Sequence, residues 1–369
     1  MYDVDRLVDE PLLFEPLRRA VEHGAPPTFL RSAKVKLTAR CNLRCVMCRY
    51  GRGLSLPELE EARFSEVMDE LAHLGCRKVH FSGGEVFARR DFERIAGRAA
   101  AAGMKVALTS NLTLVTKDRA KALMRSKINS ISTSLDGATA RTHERVRGMP
   151  GAFKKTLKAM EMLTRERERR GRRTRLRVNF VMMRSNFREY AEVVRIAGDC
   201  GATEVHPMPV DVGPNSDLRL TKRLIREYNE MIAPRVHEVR RAMGMSTEAS
   251  FVYPFGRTGL HVMESARGRY AGGYYRDHLC FAPYTHMFIA WDGHVYLCCM
   301  TNGRMDSLGN VASQSVEAIF RGERFAEVRE GMKSARLPSC HACDMFLDEN
   351  RRMDAALRNV STQRSAGHA

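Results

Sequence analysis

Cys41-Asn-Leu-Arg-Cys45-Val-Met-Cys48 places three cysteines on one short loop at C-x3-C-x2-C spacing. Thiolates are soft ligands that select iron–sulfur clusters or zinc, and three on one loop can wrap three corners of a cubane cluster. Three ligands leave the fourth iron open to a further molecule. A structural zinc site takes four protein ligands, and no nearby His or Cys supplies a fourth. The apolar, β-rich run Lys34–Thr38 reads as a strand, so the loop follows a strand end.

Outward from this loop the chain alternates short β-rich runs with amphipathic helical stretches. Further strands are expected at Lys78–Ser82, Lys105–Ser110, Ser130–Leu135, Leu176–Met183 and Glu204–Met208. Helices are expected at Ser65–Leu74, Asp91–Ala102, Lys117–Ser126, Ala152–Arg169 and Phe187–Cys200. Such alternation argues for parallel βαβ units wound right-handed, an α/β fold. Six units make a partial (β/α)6 TIM-like barrel, whose active site belongs at the C-terminal strand ends. The expected division is a helical lead-in at 1–32, the barrel at 33–245 with a last helix near Lys222–Met243, and an irregular connection at 246–279. A cysteine-bearing domain at 280–347 and a tail at 348–369 follow, with Val360–Ala369 read as disordered. No internal repeat is visible.

The C-x3-C-x2-C loop, with apolar Met47 before its last cysteine, resembles the signature loop of the radical S-adenosylmethionine (SAM) superfamily. The resemblance implies a [4Fe–4S] cluster on Cys41, Cys45 and Cys48 whose open iron chelates SAM. One electron then cleaves SAM to methionine and a 5′-deoxyadenosyl radical, which abstracts a substrate hydrogen. Other stretches match in order. Ser82-Gly83-Gly84-Glu85 is similar to the family's GGE motif, with Val86 where proline is usual, and implies that Glu85 and the exposed glycine backbone hold the SAM amino group. Glycine there lets backbone approach a ligand closely. Ser110 and Asn111 end the third expected strand. Ser134 and Arg147 resemble the family's ribose and carboxylate contacts.

A second group comprises Cys280, Cys298 in a G-x4-C, and the pair Cys340 and Cys343. It is similar to the SPASM/twitch extension of radical SAM enzymes. No cysteine follows Cys343, so the shorter twitch form is expected, with one auxiliary [4Fe–4S] cluster closed by four thiolates. Cys299 is the alternative to Cys298 as ligand, or a free thiol. A zinc ribbon would use two tight pairs, which the wide separation of Cys280 and Cys298 does not provide.

The resemblance fixes the initiation chemistry and leaves the product open. The cysteine layout resembles that of the twitch-bearing alcohol dehydrogenases of aminocyclitol antibiotic pathways, implying oxidation of a secondary alcohol on a cyclitol, sugar or glycoside. Peptide modification (crosslinking, epimerisation or maturation) is the alternative; the 40 residues before Cys41 are fewer than a peptide-recognition domain usually has. Epimerisation of a small molecule with Cys299 as hydrogen donor is another. Dehydrogenation needs a base, and His206, placed by this reading at the end of the sixth strand, has a side chain suited to proton transfer.

The composition agrees with a soluble cytoplasmic enzyme: 44% hydrophobic residues, an acidic N-terminus without signal-peptide anatomy, and no apolar run long enough for a bilayer. Ten cysteines, seven of them in close groups, fit metal binding better than a secreted disulfide scaffold. The net charge of +18 suits an anionic small-molecule substrate and an acidic flavodoxin or ferredoxin electron donor. Eight arginines fall within Arg165–Arg177 without interleaved aromatics, which reads as a solvated helix end and argues against nucleic acid.

Overall fold

The computed structural model describes residues 4–24, 27–48, 50, 57–212, 216–334, 337–343 and 347–366. One eight-stranded sheet organises them: β1 Ser32–Lys36, β2 Lys78–Ser82, β3 Lys105–Thr109, β4 Ile128–Ser134, β5 Arg175–Met182, β6 Glu204–Pro209, β7 His286–Ile289 and β8 Val295–Tyr296. Their order is β6-β5-β4-β3-β2-β1-β7-β8, parallel from β6 through β7, with β8 antiparallel to β7. The six expected strands are all present, and their parallel pairing gives the partial barrel. β7 and β8 were not foreseen. His286–Ile289 is buried on both faces, so it lacks the alternation that marks a half-exposed strand.

Between β1 and β6 run α3 Glu61–His73, α4 Phe92–Ala101, α5 Lys117–Arg125, α6 Ala140–Arg147, α7 Ala152–Arg169 and α8 Tyr190–Asp199. Two helices, α1 Val4–Asp9 and α2 Pro11–His23, precede β1. Alternation along each strand separates the two sheet faces. Val35, Val79, Phe81, Val106, Leu108, Ile131 and Val178 point outward into a continuous apolar core beneath the helices. The registers Lys34–His80, Thr109–Ser132, Ser132–Arg177 and Asn179–His206 line the opposite, inner face with polar side chains. A polar lumen under an apolar shell suits ligand binding rather than a closed core.

Three expectations need correction. Helix α6 was missed because it is short and polar, although Thr139 caps it, its Oγ1 accepting from Thr142 N at 3.2 Å, and Gly148 ends it at φ 65°. The stretch 246–279 is not simply irregular: it holds helices Ala249–Val252, Gly259–Ala266 and Tyr274–Asp277. Residues 360–366, read from sequence as disordered, are helical, since one helix runs Leu347–Ala366; residues 367–369 lie outside the described residues. That helix contains no Gly or Pro to break it, and its Met353 is fully buried with Leu7, Phe14 and Leu17.

Candidate functional site

The loop carrying Cys41, Cys45 and Cys48 is fastened on both sides by backbone. Arg44 N and Val46 N donate to the carbonyls of Arg147 and Val146, tying it to the end of α6. Gly84 N and Glu85 N donate to Thr38 O and Arg40 O at 2.7 and 2.8 Å. Glycine is required there: a Cβ on Gly84 would lie 2.2 Å from Arg40 O, and one on Gly83 2.7 Å from Thr38 O. The Gly-Gly pair therefore braces the loop from beneath.

N–H groups are aimed at the thiols. Leu43 N lies 3.4 Å from Cys41 Sγ, Asn111 Nδ2 lies 4.0 Å from it, and Arg147 Nη1 lies 3.6 Å from Cys45 Sγ. Burial pushes the Cys41 thiol up to about 11 and raises Cys45 too, with the Arg147 guanidinium pulling Cys45 back down. Iron reverses the burial effect by taking thiolates and releasing protons. Three sulfurs on one loop, two of them approached by N–H donors, fit a cluster with an open corner.

Glu85 is fully buried, and burial raises its pKa. Its carboxylate accepts from Ser110 Oγ at 2.6 Å, Asn111 N at 2.7 Å and Phe87 N at 3.1 Å. Through Asn111 it reaches the cysteine loop: Asn111 Nδ2 donates to Asn42 Oδ1 at 2.9 Å. Arg147 is likewise engaged, 2.5 Å from the buried carboxylate of Asp136. Ser134 is the last residue of β4 and half-buried. These residues converge at the C-terminal ends of β1 to β4, where the barrel reading places them.

Cys280, Cys298, Cys340 and Cys343 line one apolar cavity with Leu297 and Met300. No three Cys, His or carboxylate side chains among the described residues converge at single-ion distance; the four thiols ring a space instead. Cys298 and Cys299 lie in a turn, with Thr301 N donating to Cys298 O. They nevertheless part company. Cys298 joins the cavity, and burial drives its thiol well up, whereas Cys299 packs against the group of Tyr50, Phe288 and Trp291 that also receives Cys48. Asn350, missed by sequence reasoning, reaches the cavity from the C-terminal helix. Its Nδ2 donates to Cys280 Sγ at 3.6 Å and Tyr275 Oη at 2.8 Å, and its Oδ1 accepts from Phe281 N at 2.8 Å.

His206 stands apart from both groups. It is the third residue of β6, not its end. Its ring meets Phe251 edge-on at 4.9 Å, and burial together with Arg177 and Arg240 pushes it down to about 4. It is neutral near pH 7 and a weaker base than expected. The arginine run 165–177 closes α7 and opens β5; Glu166 pairs with Arg169 and Arg170, and Arg172 donates to Met124 O and Arg125 O. It serves as a solvated helix end and turn. No described helix is long and apolar enough to cross a membrane.

The model of the radical SAM superfamily matches residues 35–170, and that of an iron–sulfur cluster-binding domain, SPASM, matches residues 280–344. The AdoMet-dependent heme synthase of Methanosarcina barkeri is 35% identical over 187 residues, 49% of this chain and 52% of that protein. A PqqA peptide cyclase of Rhodopseudomonas palustris is 32% identical over 165 residues, 44% of this chain and 42% of that one. The mycofactocin maturase of Mycolicibacterium smegmatis is 28% identical over 312 residues, 83% of this chain and 74% of that one. The chain thus spans about half the length of the heme synthase it matches. Among solved structures, SuiB of Streptococcus suis superposes at TM-score 0.66 and 15% identity, over 91% of this chain and 75% of that one, which shows the shared fold. The loop, the barrel and the second cysteine group together make this chain a member of the radical SAM superfamily, with [4Fe–4S] clusters and SAM as cofactors and a SPASM-type iron–sulfur domain toward its C-terminus.

Proposed function

We propose that this enzyme oxidises a carbon of a peptide substrate, with Cys41, Cys45 and Cys48 holding the SAM-binding cluster and Cys280, Cys298, Cys340 and Cys343 closing an auxiliary one. The observation that supports a two-cluster oxidation is the contrast between three thiols on a loop and four around an apolar cavity. When bound, the first cluster would give SAM the electron that cleaves it to methionine and a 5′-deoxyadenosyl radical, and the second would be an acceptor for one electron. The substrate then loses a hydrogen atom to the radical, a second electron to the acceptor, and a proton, so its mass falls by about two units.

Within this reading each residue has a task on its own chain. Gly83 and Gly84 hold the loop, and Glu85 fixes Ser110 and Asn111 beside it. Arg147 directs an N–H at Cys45. Ser134, half-buried at the end of β4, would contact the ribose of SAM. Cys299, turned away from the auxiliary cavity, stays a thiol. A flavodoxin or ferredoxin supplies the electron, in the reducing cytoplasm that free thiols require.

Oxidation of a cyclitol alcohol fits the cysteine layout equally, and the PqqA peptide cyclases favour the peptide. The test is 5′-deoxyadenosine release and product mass with the reconstituted protein, reductant and SAM, offered a precursor-peptide library or a cyclitol and aminoglycoside set. Peptides losing two mass units support the reading. A ketone formed on a cyclitol overturns it.

A further inference from the structure

A cavity of about 550 Å³ lies outside both cysteine sites, bounded by β6, the segment 249–261, residues 270–272 and the start of the C-terminal helix. Its size is that of a small-ligand pocket. Phe251, Tyr253 and Tyr270 supply apolar and aromatic wall. The charged rim is balanced: Arg257 lies over the Tyr253 ring at 4.9 Å, Arg351 pairs with Asp348 at 4.0 Å, and Glu349 stands beside them.

Two histidines face this space. The His261 ring is clamped between two positive-φ glycines; a Cβ on Gly272 would fall 2.2 Å from its Cδ2 and one on Gly256 2.4 Å from its Cβ. Its place in the helix Gly259–Ala266 is fixed by Thr258 Oγ1, which accepts from His261 N at 3.2 Å. His206 lines the same cavity, resting edge-on against Phe251, and its buried Nε2 has no hydrogen-bond partner. A buried polar atom of this kind calls for a partner. The walls are themselves anchored, since Tyr270 Oη donates to Val210 O at 2.8 Å and Asn229 Nδ2 to Gly256 O at 2.9 Å.

We infer that this cavity is a substrate pocket in which His261 and His206 hydrogen-bond the backbone amides of a peptide whose apolar side chain lies on Phe251, Tyr253 and Tyr270. Peptide amides alternate donor and acceptor beside apolar side chains, which matches paired imidazoles on an aromatic wall. Strand addition to β6 is disfavoured, because Pro207 and Pro209 have no N–H to offer at its open edge. Recognition therefore falls to side chains. The inference rests on the proposed reaction and names where its substrate is held.

Histidine acylation by diethyl pyrocarbonate, mapped by mass spectrometry on the reconstituted holoenzyme, tests it with N-acetyl-phenylalaninamide and myo-inositol as probes. With the amide at ten times its Kd, labelling of His261 should slow about elevenfold, with exposed His73 as the unaffected control. Gly272→Ala, whose methyl displaces the ring, should abolish that protection; His261→Leu, which removes the hydrogen bond, serves if the first variant does not fold, and should retain iron while raising the Kd of the amide about tenfold. Protection by myo-inositol alone overturns the peptide chemistry. Protection by neither probe, in protein that still cleaves SAM without substrate, overturns the pocket and leaves the proposed reaction standing. Failure of SAM cleavage itself strikes the reaction and not the pocket.

Discussion

Arg147 joins two buried groups: its guanidinium lies 2.5 Å from the Asp136 carboxylate and 3.6 Å from the Cys45 thiol. Removing one member of a buried ion pair strands the other, at a cost of about 3–5 kcal/mol. Arg147→Met should lower stability by about that much in urea unfolding, while Arg147→Met with Asp136→Asn should recover a large part of it. Equal loss in both would show that the pair is not what holds α6 to the end of β4. Asn350 works on the other site, directing an N–H at Cys280. Such bonds raise the potential of an iron–sulfur cluster, so Asn350→Leu should move the auxiliary potential downward in a redox titration monitored by EPR and leave the SAM-site potential in place. The cysteines of the loop were legible because their spacing is local. Asn350 was not, because an asparagine in a polar helix gains a role only when that helix docks beside Cys280. His261 was hidden similarly, since its two flanking glycines meet only in the fold.

At the scale of elements, strand positions were legible to within about two residues because period-two alternation separates an apolar shell from a polar lumen. The short helix α6 and the fully buried β7 lack that contrast. Each of these unforeseen elements carries a neutral buried histidine. His143 on α6 accepts from Asp136 N at 3.0 Å, and His286 on β7 shares a 2.8 Å hydrogen bond with Ser32 of β1. Burial pushes both down to about 3. Their folded values lie below the unfolded value near 6.5, so protonation favours unfolding. Their contribution is complete above pH 6.5 and lost as pH falls from there toward 3. Between pH 7.5 and 5.5 each should cost about 1.4 kcal/mol of stability. Denaturant midpoints at the two pH values should show it, with His286→Asn reducing the dependence. A midpoint indifferent to pH over this range would contradict the assignment of these histidines as neutral.

The whole molecule is one sheet serving two thiol sites. β7, which follows Cys280, pairs with β1, which precedes Cys41, so the two cysteine-bearing segments share neighbouring strands. Cys299 and Cys48 pack against the same group of Tyr50, Phe288 and Trp291 between them. The two proposed clusters differ in ligation, and iron and sulfide content with EPR of the reduced protein measures this directly. Anaerobically reconstituted protein should hold about eight irons and eight sulfides, one cluster for each thiol set. Cys41→Ala, Cys45→Ala and Cys48→Ala together should leave about four irons, whose EPR signal no longer responds to SAM. Cys298→Ala should disturb only the second signal, and Cys299→Ala neither. A triple variant without iron, or one holding zinc in its place, would contradict the account.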